Sequence, residues 1–127
     1  MILGTGIDLI EIQRIKNAIE NNSRFMEKIF TYKEIEYFKK RSMNSEVIAG
    51  NFAAKEAVSK ALGVGIRGFS FKDIEVLRDN FGKPIVTLHN GAKFRANNLS
   101  KKTNEYIIHL TISHDKNNAI AYVIFEE

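Results

Sequence analysis

NFAAKEAVSKALG, Asn51 to Gly63, decides how the rest of the chain must be arranged. Together with Ala49 it spreads Phe52, Ala53, Ala54, Ala57, Val58, Ala61 and Leu62 almost all the way round a helix. A helix without a wide polar face is a buried one. The same stretch carries Lys55, Glu56 and Lys60. As an exposed pair four residues apart, Glu56 and Lys60 would contribute only about 0.2–0.5 kcal/mol. On a buried helix a carboxylate is expensive unless it meets a cation.

Working outward, the expected elements alternate around this helix. ILGTGIDLI, residues 2–10, reads as a strand whose Gly4 and Gly6 mark a bulge or a close backbone approach. EIQRIKNAIEN follows as an amphipathic helix, with Ile12, Ile15 and Ile19 on one stripe and Arg14 and Lys16 off it. FMEKIF is a short helical turn. Thr31 and Glu34 form a capping box for a helix reaching about Lys40. The long helix spans about Ser45 to Leu62 and ends in the glycine loop GVGIRGFS. Ile74–Arg78 and Pro84–Leu88 make a hairpin around DNFGK, Asn90–Leu99 is a helix, and Tyr106–Ser113 and Ala119–Phe125 are strands joined by HDKNN. This is an α+β chain, 1–127 as a single domain, with helices packed on one side of an antiparallel sheet.

The bulk properties exclude more than they select. A chain of 127 residues buries roughly two thirds of its unfolded surface and needs no staples. Zero cysteines exclude disulfides and thiolate zinc sites. Asp8 and Glu11 interrupt the first apolar run, so neither a signal peptide nor a membrane span is expected, which fits the cytoplasm. The net charge of +4 favours an acidic partner. A small basic nucleotide- or RNA-binding domain is the alternative, supported by the charge and the glycine loop. Dispersed basic residues and the lack of an aromatic ribonucleoprotein-type motif argue against nucleic acid.

Asp8, in the glycine-flanked GIDLI, is either the N-cap of the following helix or a second carboxylate brought to Glu56. Two carboxylates about 5 Å apart repel by about 3 kcal/mol at an effective dielectric of about 20. Mg²⁺ suits such a pair, because it keeps waters and shares substrate phosphates. Among the histidines, His89 and His109 read as packing or surface residues. His114 in ISHD stands at a strand end. Ser113 and Asp115 flank it, yet neighbours on a strand point to opposite faces, which excludes a Ser–His–Asp triad.

GIDLIEIQR (Gly6–Arg14), FAAKEAVSKA (Phe52–Ala61) and ISHD (Ile112–Asp115), with GKP at Gly82–Pro84, together resemble the holo-acyl-carrier-protein synthases, the short bacterial 4′-phosphopantetheinyl transferases. The likeness covers the whole chain. It implies transfer of phosphopantetheine from coenzyme A to a serine of an apo acyl carrier protein, in fatty acid biosynthesis, leaving adenosine 3′,5′-bisphosphate. It implies that Asp8 and Glu56 hold Mg²⁺, that Lys60 contacts the coenzyme A phosphates and that His114 binds the 3′-phosphate. Catalysis then rests on Asp8, Glu56 and Lys60, and coenzyme A on Lys60, Gly63, Gly65, Gly82, Lys83, Pro84, Ser113 and His114. The proton acceptor is left open between Glu56 and a water near Asp8. The resemblance further implies the family fold as a half-unit completed by oligomerisation, a homotrimer with sites shared between neighbours. Arg14, Lys16, Arg24 and Lys28 are expected to dock the acidic carrier protein. Asn51 stands where many relatives have arginine, which puts one coenzyme A phosphate contact in doubt. Lys55 reads either as a phosphate contact or as a snorkelling side chain.

Overall fold

The computed structural model describes residues 1–102 and 105–127. Strand β1 (Ile2–Glu11) runs into helix α1 (Ile12–Asn21), followed by α2 (Phe25–Ile29), α3 (Tyr32–Lys40) and α4 (Ser45–Ala61). A single 3₁₀ turn, Phe71–Asp73, leads into the hairpin β2 (Ile74–Arg78) and β3 (Pro84–Leu88). Helix α5 (Asn90–Leu99) and the strands β4 (Ile107–His114) and β5 (Asn118–Glu126) complete the chain.

The expected α+β arrangement is what forms, with the strands divided between two antiparallel sheets. One has the order β1-β5-β4, and the other is the β2-β3 hairpin. Helix α4 lies across the inner face of the first sheet, against β1, β5 and β4, and touches α1 and β2 with its other sides. This explains its composition. Ile48, Ala49, Ala53, Ala54, Ala57 and Val58 are all buried, on sides that no single stripe could cover.

Local chemistry sets the ends of the helices. Thr31 Oγ1 accepts from the Glu34 N–H at 3.2 Å, and Glu34 Oε1 accepts from the Thr31 N–H at 2.8 Å. This is the capping box read from the sequence. Asn44 Oδ1 accepts from Glu46 and Val47 and starts α4. Asp8 caps nothing, because α1 begins four residues later with Glu11 at its N-cap.

Gly4 and Gly6 fix where β1 crosses α4. A Cβ on Gly6 would stand 1.9 Å from the Ala57 carbonyl oxygen, and one on Gly4 would stand 2.0 Å from that of Ala61. Backbone lies directly on backbone, so even alanine at Gly6 forces the two apart. At the other end of α4, a Cβ on Gly50 would meet Ile112 of β4 at 2.9 Å. The helix therefore crosses the sheet diagonally, from β4 at its start to β1 at its end.

Candidate functional site

The crossing of β1 and α4 gathers Asp8, Glu56 and Lys60. Asp8 alternates with the outward Ile7 and Leu9, so its side chain lies on the α4 side of the sheet. Lys60 Nζ donates to the Ile7 carbonyl at 2.8 Å and stands 3.3 Å from Asp8 Oδ1. The helical pairing of Lys60 with Glu56 is thus not the ion pair that forms; the lysine turns to β1 instead. Glu56 is left with a weaker share of that cation. Its own burial, and next the charge of Asp8, push its carboxyl above the ordinary value of 4.5, while Lys60 pulls the other way.

Two hard oxygen donors, under mutual repulsion and only partly neutralised, are a donor set that fits Mg²⁺. Among the described residues no cluster of three or more His, Cys, Asp or Glu side chains exists. An ion there would have to complete its shell with water or with oxygens of a bound molecule. Gly63 and Gly65 follow at the same end of α4, both in the left-handed region.

A second cluster lies at the opposite end of α4. Gly82, Pro84 and His114 converge on one cavity of about 210 Å³, together with Tyr37, Arg41, Glu46 and Arg78. Pairing places Arg78 directly across from Pro84. His114 Nδ1 is 3.3 Å from Glu46 Oε2 in the first turn of α4. Arg41 is delivered by the α3–α4 corner, where Ser42 and Met43 both hold left-handed φ values of 56° and 51°. Such strain, of order 1–3 kcal/mol per residue, persists only where the surroundings enforce it. Here the Met43 N–H is held by the Phe38 carbonyl at 2.8 Å.

The remaining site residues expected from the sequence scatter. Ser113 alternates with His114 and faces the outer side of the sheet, so it does not share the cavity. Lys83 is exposed on the hairpin turn, between the two residues that line the cavity. Arg14 and Lys16 are exposed on α1, and Lys16 faces Lys116 across a groove. Arg24 and Lys28 border a separate groove with Glu27, Ser70 and Lys72. His109 pairs with Glu126 at 2.7 Å on the surface.

Lys55 matches neither role expected of it. It is fully buried and pairs with Glu34 at 2.7 Å. Its Nζ also donates to the carbonyls of Phe71 and Ile74, which uses all three ammonium protons. Glu34 in turn accepts from Thr31 and Val76. Burial drives the lysine below and the glutamate above their ordinary values, and their mutual attraction opposes both shifts. Glu34 reads as a capping residue in the sequence, and its second role spans 21 residues of chain that no local pattern reports. Read as sequence, the chain does not single out Arg41 or Arg78 for the cavity they line with His114.

The 4′-phosphopantetheinyl transferase superfamily model matches residues 4–111. The chain belongs to this family. It is 62% identical over 126 residues to a holo-acyl-carrier-protein synthase of Clostridium perfringens, covering 99% of this chain and 95% of the relative. It is 53% identical to that of Clostridium acetobutylicum, covering 99% and 98%. A Bacillus anthracis holo-acyl-carrier-protein synthase solved in complex with CoA (3′,5′-ADP) superposes with a TM-score of 0.81 at 43% identity, covering 100% of this chain and 98% of that one. A Helicobacter pylori holo-acyl-carrier-protein synthase in complex with coenzyme A gives 0.80 at 35%, covering 96% and 99%.

For a phosphopantetheinyl transferase the distribution of side chains is informative. Glu46 beside His114 and Glu56 beside Asp8 stand ten residues apart on one helix, a rise of about 15 Å. The two clusters therefore do not form one compact site within a single chain.

Proposed function

We propose that this protein is a holo-acyl-carrier-protein synthase, which moves the 4′-phosphopantetheine of coenzyme A onto a serine hydroxyl of an apo acyl carrier protein. The serine oxygen bonds to the phosphorus that carries the pantetheine arm. The pyrophosphate bond breaks, and adenosine 3′,5′-bisphosphate leaves with the bridging oxygen. The observation that carries this reading is the convergence of Asp8, Glu56 and Lys60 at the β1–α4 crossing of a chain of this family.

Each side chain has a physical task. Glu56, or a water beside Asp8, takes the proton from the serine hydroxyl. Lys60, half exposed and fixed by the Ile7 carbonyl, offsets charge on the departing phosphate. Asp8 aims that ammonium. Asp8 and Glu56 would hold Mg²⁺, which supplies charge stabilisation on the phosphate oxygens when bound.

Two observations support a homotrimer with sites shared between neighbours. The first is the separation of the two clusters along α4. The second is the outer face of the β1-β5-β4 sheet, where Ile7, Leu9 and Tyr122 are 52%, 64% and 42% exposed. Ile7 and Tyr122 stand opposite one another in the ladder. An apolar face of this kind fits a second copy of the chain. Ser113 lies on the same face and would meet that neighbour. Arg14, Lys16, Arg24 and Lys28 supply positive charge for an acidic carrier protein. Among the described residues no helix is long and apolar enough to cross a membrane, and the reading places the enzyme in the cytoplasm, in fatty acid biosynthesis.

The test is direct. The protein is incubated with coenzyme A, Mg²⁺ and an apo acyl carrier protein, and mass spectrometry reads the carrier. Addition of one phosphopantetheine is expected, and an unmodified carrier would sink the proposal.

A further inference from the structure

The end of α4 that carries Lys60 is closed partly by its own backbone and partly by another helix. The Gly63 N–H donates to the Lys60 carbonyl at 2.9 Å, and the Val64 N–H reaches the Ser59 carbonyl at 3.4 Å. With Gly63 at a φ of 80°, this is a Schellman stop. Two of the last four carbonyls remain. That of Ala61 lies against Gly4. That of Leu62 accepts from Arg95 Nε, on α5, at 3.0 Å.

Arg95 is half-buried, and among the described residues it makes this one hydrogen bond and no ion pair. Its guanidinium stands beside Gly63, where a Cβ would lie 3.4 Å from a terminal nitrogen. Gly91 precedes it by four residues, on the same face of α5. A Cβ on Gly91 would stand 2.5 Å from the Gly68 carbonyl oxygen and 2.8 Å from Phe69 Cβ. One face of α5 therefore holds both ends of the glycine loop, Arg95 at its entrance and Gly91 at its exit. The helix is itself pinned. The His89 N–H donates to the Asp73 carbonyl at 2.7 Å, Asn90 Nδ2 donates to Asp73 Oδ1 at 3.0 Å, and Ala92 and Ala96 are buried.

Between these anchors the loop turns bare backbone to open space. Among the described residues no atom lies within 4 Å of where a Cβ on Gly65 or Gly68 would stand, and both hold left-handed φ values of 61° and 78°. This backbone leaves directly from the turn that carries Lys60. A phosphate held by that lysine also meets the negative end of the α4 dipole, about half a charge, which repels it. A cation at the Leu62 carbonyl offsets that end. We propose that Arg95 is a positioning residue for coenzyme A: by capping Leu62 it fixes the backbone of residues 63–68 relative to Lys60 and offsets the negative helix end for the bound phosphates. The ligand's identity rests on the proposed reaction; the bracing of the loop by α5 does not.

The experiment has two arms on the intact protein. Amide hydrogen exchange compares wild type with Arg95→Gln. The Gly63, Val64 and Arg67 amides should exchange about 10- to 100-fold faster in the variant, the range for hydrogen bonds to a charged group, while amides in the middle of α4 keep their rates. In transfer assays Arg95→Gln should raise the KM for coenzyme A by a similar factor and leave kcat and the carrier-protein KM unchanged. A general loss of structure would instead lower kcat at constant KM. Arg95→Lys should show both effects at smaller size, because it restores the charge without the guanidinium geometry. It also serves in place of the glutamine variant should that one fail to fold. Unchanged exchange, faster exchange with an unchanged coenzyme A KM, or a KM raised for both substrates alike would overturn the proposal. A wild type that transfers nothing would reject the reaction. Calorimetry with coenzyme A then decides for Arg95: weaker binding to the variant than to wild type supports the proposal, and equal or absent binding overturns it.

Discussion

Helix α4 carries two lysines five residues apart, each facing carboxylate, and their surroundings are opposite in kind. Lys55 and Glu34 are wholly enclosed, 2.7 Å apart, with every ammonium proton and both carboxylate oxygens engaged. Lys60 and Asp8 stand 3.3 Å apart at 50% and 18% side-chain exposure, with Glu56 alongside and poorly neutralised. The first set has no capacity left for a ligand and ties α3, α4 and β2 together. The second is incomplete, and that leaves it the capacity for the chemistry proposed for it. The sequence shows the same two residue types in both places, so type alone does not separate a structural pair from a reactive one.

The largest effect should come from breaking the reactive set. Glu56→Gln should lower the rate of carrier-protein modification by up to about 10⁴-fold, the range for a general base. Circular dichroism and the oligomeric state should stay as in wild type. Retention of full activity would remove Glu56 from the chemistry. Next comes the enclosed set. Lys55→Met should cost about 3–5 kcal/mol in urea unfolding, because it leaves a buried carboxylate without its cation. Adding Glu34→Gln should return part of that loss, since it removes the unpaired buried charge while its one amide oxygen still accepts from either the Thr31 or the Val76 N–H. A Lys55→Met protein as stable as wild type would mean the pair ties nothing together.

A third measurement sharpens the contrast without assaying activity. Mg²⁺ at a hundred times its dissociation constant should stabilise wild type by about 2.7 kcal/mol in thermal unfolding. Asp8→Asn should abolish that gain, whereas a shift of equal size in the variant would place the ion elsewhere. Smaller still is the effect of pH. The folded-state value of Glu56 lies above the ordinary 4.5, so the native protein holds that proton more tightly than the unfolded chain does. Its charge is harmless below pH 4.5 and costs stability as the pH rises through the folded value. Glu56→Gln should therefore melt slightly higher than wild type at pH 8 and equally at pH 4. The reverse order would show that Glu56 gains, rather than loses, from being charged.

Much of the frame was legible because it is local. The capping box at Thr31, the strand glycines and the small residues of α4 each announce a geometry within a few positions. Of the reactive set, Asp8, Glu56 and Lys60 could be named from motifs, and the fold brings them together as expected. The rest depends on contacts that cross the chain. Lys55 finds Glu34 on another helix, and Arg78 finds Asn51 across 27 residues. Ser113 is named with His114 only through the ISHD motif, and strand alternation, legible in the sequence, sends it to the opposite face.

The close contact between β1 and α4 has one more consequence. With Gly6 seated on the Ala57 carbonyl and Gly4 on that of Ala61, atomic repulsion acts as a mechanical stop on how near the backbones carrying Asp8 and Glu56 can come. A spacing set by a hard stop differs from one set by attraction between charges. Ionic strength screens charges but leaves the stop where it is. The backbones that carry the two carboxylates should therefore keep their separation in dilute buffer and in concentrated salt alike.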